Sequence, residues 1–210
     1  MEKHVYFVRH GESESNRDNI ALGAASKLTD RGRAQAEIIA GRIERIGVEA
    51  LVASPYPRTL ATAEAISKRV GLPIEPNQLF IEWERQSMRL GRSWLEPEIQ
   101  QLNADLFKGY ETSDDFVHSD EEPFTKLRAR GFAALEFLED HPAGRICVVS
   151  HGIFMRVLFG LTIFGDAFTA VHFMRMFERL DANNTGVTVL RFDDKHGWTG
   201  ETWNDSAHLG

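Results

Sequence analysis

The sequence predicts an α/β fold, a three-layer sandwich with a mostly parallel central sheet, helices on both faces and a small inserted lid segment. Two observations carry that reading. Short apolar runs rich in β-branched residues alternate with longer segments of helical periodicity, and three reactive positions fall at or just past the ends of those short runs, the sheet edge where α/β proteins bind ligands. The 210 residues, 42% of them hydrophobic, suffice for one well-buried core. We therefore expect a single domain over 1–210 with an insertion or lid at about 80–120.

Taken in order, Val5 to Val8 is apolar and bounded by charge, so it reads as a buried first strand with Arg9 and His10 at its carboxyl end. Thr29 is placed to cap a helix whose Ala36, Ile39, Ala40 and Ile43 share one face before Gly47 ends it. Ala50 to Ala53 is the second strand. Pro57 opens another helix, with Leu60, Ala61, Ala65 and Ile66 inward, closed by Gly71 and Pro73.

The run from Phe80 to His118 has no strong strand signal and ends in polar, acidic residues, which makes it the insertion or lid. Asp120 to Glu139 has helical spacing through Phe124, Leu127, Ala134, Leu135 and Leu138, with Gly131 weakening its middle. Arg145 to Ser150 is the plainest buried strand, followed by His151, Gly152 and a helix over Ile153 to Leu161. Phe168, Val171, Phe173, Met174 and Phe177 suit a helix packed on the core. Thr185 to Phe192 and Trp198 to Trp203 read as two closing strands.

Composition narrows the function. Thirty-one acidic residues against 24 basic ones give a formal charge of -7, which argues against a general nucleic-acid or anionic-membrane surface, because both need a basic face. An anion must be caught locally. The one cysteine, Cys147, lies in an apolar run, so no internal disulfide forms and a reducing, cytoplasmic location is expected. The amino-terminal stretch is too short in apolar residues for a secretory core, and no segment is apolar for long enough to span a bilayer.

Two arginines and two histidines, Arg9, His10, Arg58 and His151, follow strand ends. Brought together they would box a phosphate, since a guanidinium grips two oxyanion oxygens with a fixed set of donors. Other phosphatase chemistries fail on the sequence. Ile153 stands six residues after Cys147 where a cysteine-phosphatase loop needs arginine, no Asp-x-Asp pair occurs, and no glycine-rich loop ends in Lys-Ser or Lys-Thr. His4, His118, His141, His172, His196 and His208 show no metal-ligand spacing and are expected on the surface.

Arg9-His10-Gly11-Glu12 with Asn16 resembles the RHGExxxN signature of the histidine phosphatase superfamily, the phosphoglycerate mutase-like enzymes. Leu28 to Ala36 is similar to that family's LTxxGxxQA segment, and Ser54-Pro55-Tyr56-Pro57-Arg58-Thr59 with Thr62-Ala63 to its SPxxRTxxTA segment. Ser150-His151-Gly152, Asn184-Thr185-Gly186, and Trp203-Asn204 with His208-Leu209 resemble its later elements. The resemblance covers nearly the whole chain and is weakest over about 83 to 118.

That resemblance implies His10 as nucleophile, Arg9, Arg58 and His151 as phosphate ligands with Gly152 beside them, and Glu82 as proton donor. It implies no metal and no cofactor. The chemistry fits each role. An uncharged imidazole attacks phosphorus when its other nitrogen donates a hydrogen bond, fixed cations stabilise charge on the transferring group, and a protonated His151 would add to them. A leaving alkoxide needs a proton, for which Glu84 is the alternative to Glu82. Asn16 either contacts substrate or caps a turn.

The expected activity is hydrolysis of a small phosphate monoester through a phosphohistidine on His10, in the phosphatase branch of the family. Two rivals stay open: a phosphoglycerate mutase that hands the phosphoryl group to a second hydroxyl, and a phosphate-binding module without turnover. The expected partner is a small phosphorylated substrate, with no nucleic acid and no membrane; the oligomeric state is open, a two-fold homodimer being only the base-rate choice.

Overall fold

The computed structural model describes residues 2–210. Six strands form one sheet: β1 (Glu2–Arg9), β2 (Ala50–Ala53), β3 (Ile74–Pro76), β4 (Arg145–Ser150), β5 (Val187–Asp193) and β6 (Gly197–Asp205), in the order β3-β2-β4-β1-β5-β6. The four strands β3, β2, β4 and β1 run parallel, while β5 is antiparallel to β1 and β6 to β5. The sheet is therefore mixed, with its parallel part central. The first strand extends beyond the apolar run at both ends, because its polar residues still have ladder partners on β4 and β5.

Side-chain alternation sends successive residues of a strand to opposite faces, and the two central strands use both. Val5 and Phe7 of β1 with Ile146 and Val148 of β4 face one core, and Val8 with Cys147 and Val149 face the other. On the second face lie α2 (Asp30–Ile46) and α3 (Pro57–Val70), packed through Ala36, Ile39, Ile43, Ala63 and Ile66. Thr29 accepts from the Gly32 amide and Gly47 ends α2 in the left-handed conformation, so both ends stop where the sequence says. The short α1 (Glu14–Asp18) precedes them.

The first face carries α5 (Phe124–Asp140), α6 (Gly152–Phe164) and α7 (Ala170–Arg179). Gly131 sits at the crossing of α5 and α6. A methyl group there would meet Leu161 Cδ1 at 2.6 Å, so the glycine that weakens helix propensity also permits the close approach. Val171, expected in the core, is 39% exposed, while Phe168 and Phe173 are fully buried.

Two features were not anticipated. The edge strand β3 is only three residues long and contains Pro76, which leaves little strand signal. The segment between Phe80 and His118 contains a helix, α4 (Pro97–Tyr110), that buries Ile99, Leu102, Leu106 and Tyr110. Proline in its first turn and this apolar spacing were readable signals. Among the described residues, no helix is long and apolar enough to cross a membrane.

Register decides where the reactive residues emerge. His4 of β1 pairs with Arg145 of β4, and the ladder ends with Arg9 beside Ser150. His10 and His151, each the next residue, therefore leave the sheet side by side. From there the chain diverges: β1 leads to α2 on one face and β4 to α6 on the other, which opens a crevice at their carboxyl ends.

Candidate active site

A cavity of about 550 Å³ opens at that edge, with Arg9, His10, Asn16, Arg58, Glu82 and Gly152 on its wall. The sequence separates these residues by as many as 143 positions, and the strand register unites them. His151 is the exception: fully buried, it stands behind the wall, its ring 5.3 Å from that of His10 and 5.1 Å from that of Tyr56.

The proton on His10 is located by its partners. Nδ1 lies 2.7 Å from the carbonyl oxygen of Gly11, which can only accept, so Nδ1 carries the hydrogen. Nε2 is therefore the basic nitrogen, and Arg58 Nε donates to it at 3.2 Å. The same guanidinium donates through Nη2 to Nδ1 of His151 at 3.1 Å and through Nη1 to the carbonyl oxygen of Gly23 at 2.9 Å. With Nδ1 accepting, His151 donates from Nε2 to Ser54 Oγ at 2.8 Å.

Burial, reinforced by the charges of Arg58 and Arg9, holds His10 well below the ordinary imidazole value. His10 is neutral, as a nucleophile must be. Burial and then Arg58, His10 and Arg9 do the same to His151. Without an anion His151 is therefore neutral, because burial and the surrounding guanidinium charges oppose a further cation; the expectation of a protonated His151 concerns the state with the phosphoryl group in place.

Arg9 is pushed down to about 10, first by burial and then by Arg156 and Arg58 against the opposing pull of Glu82, and it remains cationic at neutral pH. Its Nη1 donates to the carbonyl oxygen of Ala182, whereas its buried Nε has no partner. A methyl group on Gly152 would sit 3.3 Å from that Nε, so this glycine leaves the guanidinium its room. Gly11 has a similar role for the backbone: a methyl group there would meet the carbonyl oxygen of Gly32 at 2.3 Å.

Glu82 reaches the amino end of α6. Its Oε1 accepts from the amides of Phe154 and Trp83, both at 3.0 Å, and its Oε2 from the amide of Ile153 at 3.2 Å. Arg130 of α5 fixes the approach by donating to the carbonyl oxygens of Leu79 and Ile81, and Ser150 Oγ donates to that of Phe80. The charge of Glu82 acts on Arg9, Arg58 and Arg156. Glu84 also lines the cavity but is exposed.

Asn16 caps a helix and stands on the cavity wall. Its Oδ1 accepts from Ser13 in the cap of α1, and the residue lines the cavity. That oxygen also accepts from Asn184 Nδ2 at 3.1 Å, and the same Nδ2 donates to the carbonyl oxygen of His10 at 3.0 Å. Asn184 thus holds the His10 loop from the far end of the chain. His208, expected to be a bland surface residue, approaches Thr185 Oγ1 through Nε2 at 3.1 Å, next to Asn184.

Residues 5–206 match the family described as "Histidine phosphatase superfamily (branch 1)". The chain belongs to the histidine phosphatase superfamily. A relative from Shigella boydii, named "Probable phosphoglycerate mutase GpmB", is 30% identical over 212 residues, covering 98% of this chain and 94% of its own length. The protein of the same name from Photorhabdus laumondii is 31% identical over 232 residues, with the same coverage.

Solved structures share the fold. Bacillus stearothermophilus YhfR superposes with a TM-score of 0.81 at 23% identity, covering 99% of this chain and all of its own. A mycobacterial glucosyl-3-phosphoglycerate phosphatase superposes with a TM-score of 0.79 at 19% identity, covering 97% and 100%.

The cavity also contains residues that the sequence reading left aside. Arg85, Gln86, Arg89 and Arg156 lie on its wall. Arg156 follows Gly152 by one helical turn and donates to the carbonyl oxygens of Gly152 and Leu180. That i, i+4 spacing after a strand-end glycine was the available signal. Arg85 and Arg89 share the same spacing just past Glu82, in the stretch where the family resemblance is weakest.

Proposed function

We propose that the protein hydrolyses a small phosphate monoester through a phosphohistidine at Nε2 of His10, with its own cations supplying the charge that a metal supplies elsewhere. The observation that carries this is the Nδ1 contact of His10 with the Gly11 carbonyl, because it leaves Nε2 unprotonated, its electron pair held by Arg58 Nε until that guanidinium turns to the phosphoryl oxygens.

In the first step Nε2 forms a bond to phosphorus, the ester P–O bond breaks, and the leaving oxygen takes a proton from Glu82. In the second, water gives a proton to the Glu82 carboxylate and attacks phosphorus, the P–N bond breaks with its electrons returning to Nε2, and inorganic phosphate departs. Arg58 and Arg9 turn donors to the equatorial oxygens, where charge gathers in the transition state. As Arg58 turns, Nδ1 of His151 is uncovered to take up a proton and join them. Glu82 is favoured over Glu84 because backbone amides at the amino end of α6, next to Gly152, hold its carboxyl group in place at the cavity wall, whereas Glu84 is exposed.

A second reading, phosphoglycerate mutase, is favoured by the relatives of 30 to 31% identity that carry that name. It uses the same first step and gives the phosphoryl group to another hydroxyl. Purified protein incubated with an aryl phosphate and excess chelator should release phosphate, and label from a radioactive phosphate donor should be trapped on residue 10 and vanish in His10→Ala. Conversion of 3-phosphoglycerate without phosphate release would replace hydrolase by mutase. Neither turnover nor trapping would leave only a binding module.

A further inference from the structure

Unpaired donors are concentrated in the cavity. Among the described residues, the buried side-chain nitrogens without a hydrogen-bond partner are Arg9 Nε, Arg85 Nε, Gln86 Nε2, and Nη1 and Nη2 of Arg89, and all four residues line this one cavity. A phosphoryl group at His10 accounts for Arg9. It leaves the cluster on the segment past Glu82 unexplained.

That cluster is built to stay in place. Arg89 is 2% exposed and Gln86 1%, and Arg89 Nε donates to Gln86 Oε1, so both nitrogens of the far end of the guanidinium are free. The guanidinium carbon of Arg85 lies 5.4 Å from the ring centre of Trp83 and 5.7 Å from that of Phe177, a cation held against two aromatic faces. Neither arginine has a carboxylate within ion-pair distance among the described residues. The carboxylate whose charge acts on Arg89 is Glu121, and its oxygens are taken by the amides of His118 and Ser119 and the hydroxyl of Ser119.

Buried guanidinium charge without a counter-ion is unfavourable unless a bound anion completes it. Burial and the neighbouring charge of Arg89 push Arg85 down to about 10 against the opposing pull of Glu82, the carboxylate that also serves Arg9, Arg58 and Arg156. Planar, paired donors of this kind match a carboxylate or phosphate better than a neutral hydroxyl. The cavity has room as well: at about 550 Å³ it exceeds what one phosphoryl group fills.

We propose that the substrate's leaving group carries a second oxyanion, a carboxylate or a second phosphate, seated on Arg85, Gln86 and Arg89 while the phosphoryl group meets His10. This rests on the phosphatase reading and deepens it by naming the substrate class. The hydrolytic step is unchanged; the second oxyanion fixes which ester is presented to Nε2.

Matched substrates that differ only in that group provide the test. In the carboxylate arm, 3-phosphoglycerate is compared with glycerol 3-phosphate; in the phosphate arm, propane-1,3-diol bisphosphate with its monophosphate. Wild-type kcat/KM should favour the doubly anionic member of at least one pair by roughly 10- to 100-fold, the range of a charge-assisted hydrogen bond. The preferred arm identifies the oxyanion. In Arg89→Met that ratio should fall towards one, and Arg89→Lys should restore part of it. Equal handling of both members in both arms by the wild type overturns the proposal without any need for a variant, as does a preference that survives in Arg89→Met. Calorimetric binding of the same pairs to His10→Ala separates the two claims, since a preference for the second oxyanion there supports this subsite even if the wild type turns nothing over.

Discussion

Arg58 donates from Nε to the basic nitrogen of His10 at 3.2 Å while its Nη2 serves His151, so one guanidinium spans both imidazoles of the site. The three groups form a unit. Neutral rings on either side of a permanent cation can each accept from it, and a phosphoryl group entering between them meets donors already oriented.

Replacing Arg58 by lysine keeps the charge and removes the geometry. A single ammonium cannot hold both rings and two phosphate oxygens at once, so Arg58→Lys should lower kcat by roughly 100- to 1,000-fold, the typical cost of losing one preorganised donor. Steady-state kinetics with an aryl phosphate measures it. A loss confined to KM would mean that Arg58 merely binds the ground state.

The two buried rings predict an acid-sensitive fold. Both His10 and His151 lie well below their ordinary 6.5, so in the unfolded chain they take protons near 6.5 while in the native protein they do not. Below that pH the unfolded state binds more protons, and stability falls as pH drops from 6.5 towards the depressed native values. Each ring contributes up to about 1.4 kcal/mol per pH unit. Denaturant titrations between pH 7 and 5 should show this slope, and His151→Asn should reduce it; an unchanged slope would show that the ring is not held neutral.

Proton donation can be separated from charge stabilisation by varying the leaving group. If Glu82 supplies the proton, Glu82→Gln should slow the phosphorylation of His10 by an alkyl phosphate by roughly 100- to 10,000-fold in single-turnover measurements and slow the first-turnover release of p-nitrophenolate from p-nitrophenyl phosphate far less, because nitrophenolate departs without a proton. Glu84→Gln should show no such dependence. The reverse pattern would transfer the role to Glu84.

Much of the frame is legible in the sequence because it is encoded locally. Thr29 and Gly47 mark α2, Pro57 and Gly71 mark α3, and the run ending at Ser150 is a buried strand whatever surrounds it. The elements that escaped are those with weak local signals or competing ones: β3 with its proline, and α4 inside a stretch that reads as polar and irregular. Likewise Arg85 and Arg89 look like solvated helix or loop cations in one dimension, since burial without a counter-ion has no signature along the chain.

By itself, then, the sequence determined the fold class, the strand ends that bear Arg9, His10 and His151, the helix start that bears Arg58, and the chemical types available there, because periodicity, caps and turn residues act over a few neighbouring positions. Only the tertiary structure decided which nitrogen of His10 is unprotonated, that His151 stands behind the wall, that Asn184 holds a loop 174 positions away, and that Arg89 lines the cavity with both Nη atoms unpaired. Hydrogen-bond partners and desolvation depend on which surfaces meet, and that is fixed by sheet register and helix packing.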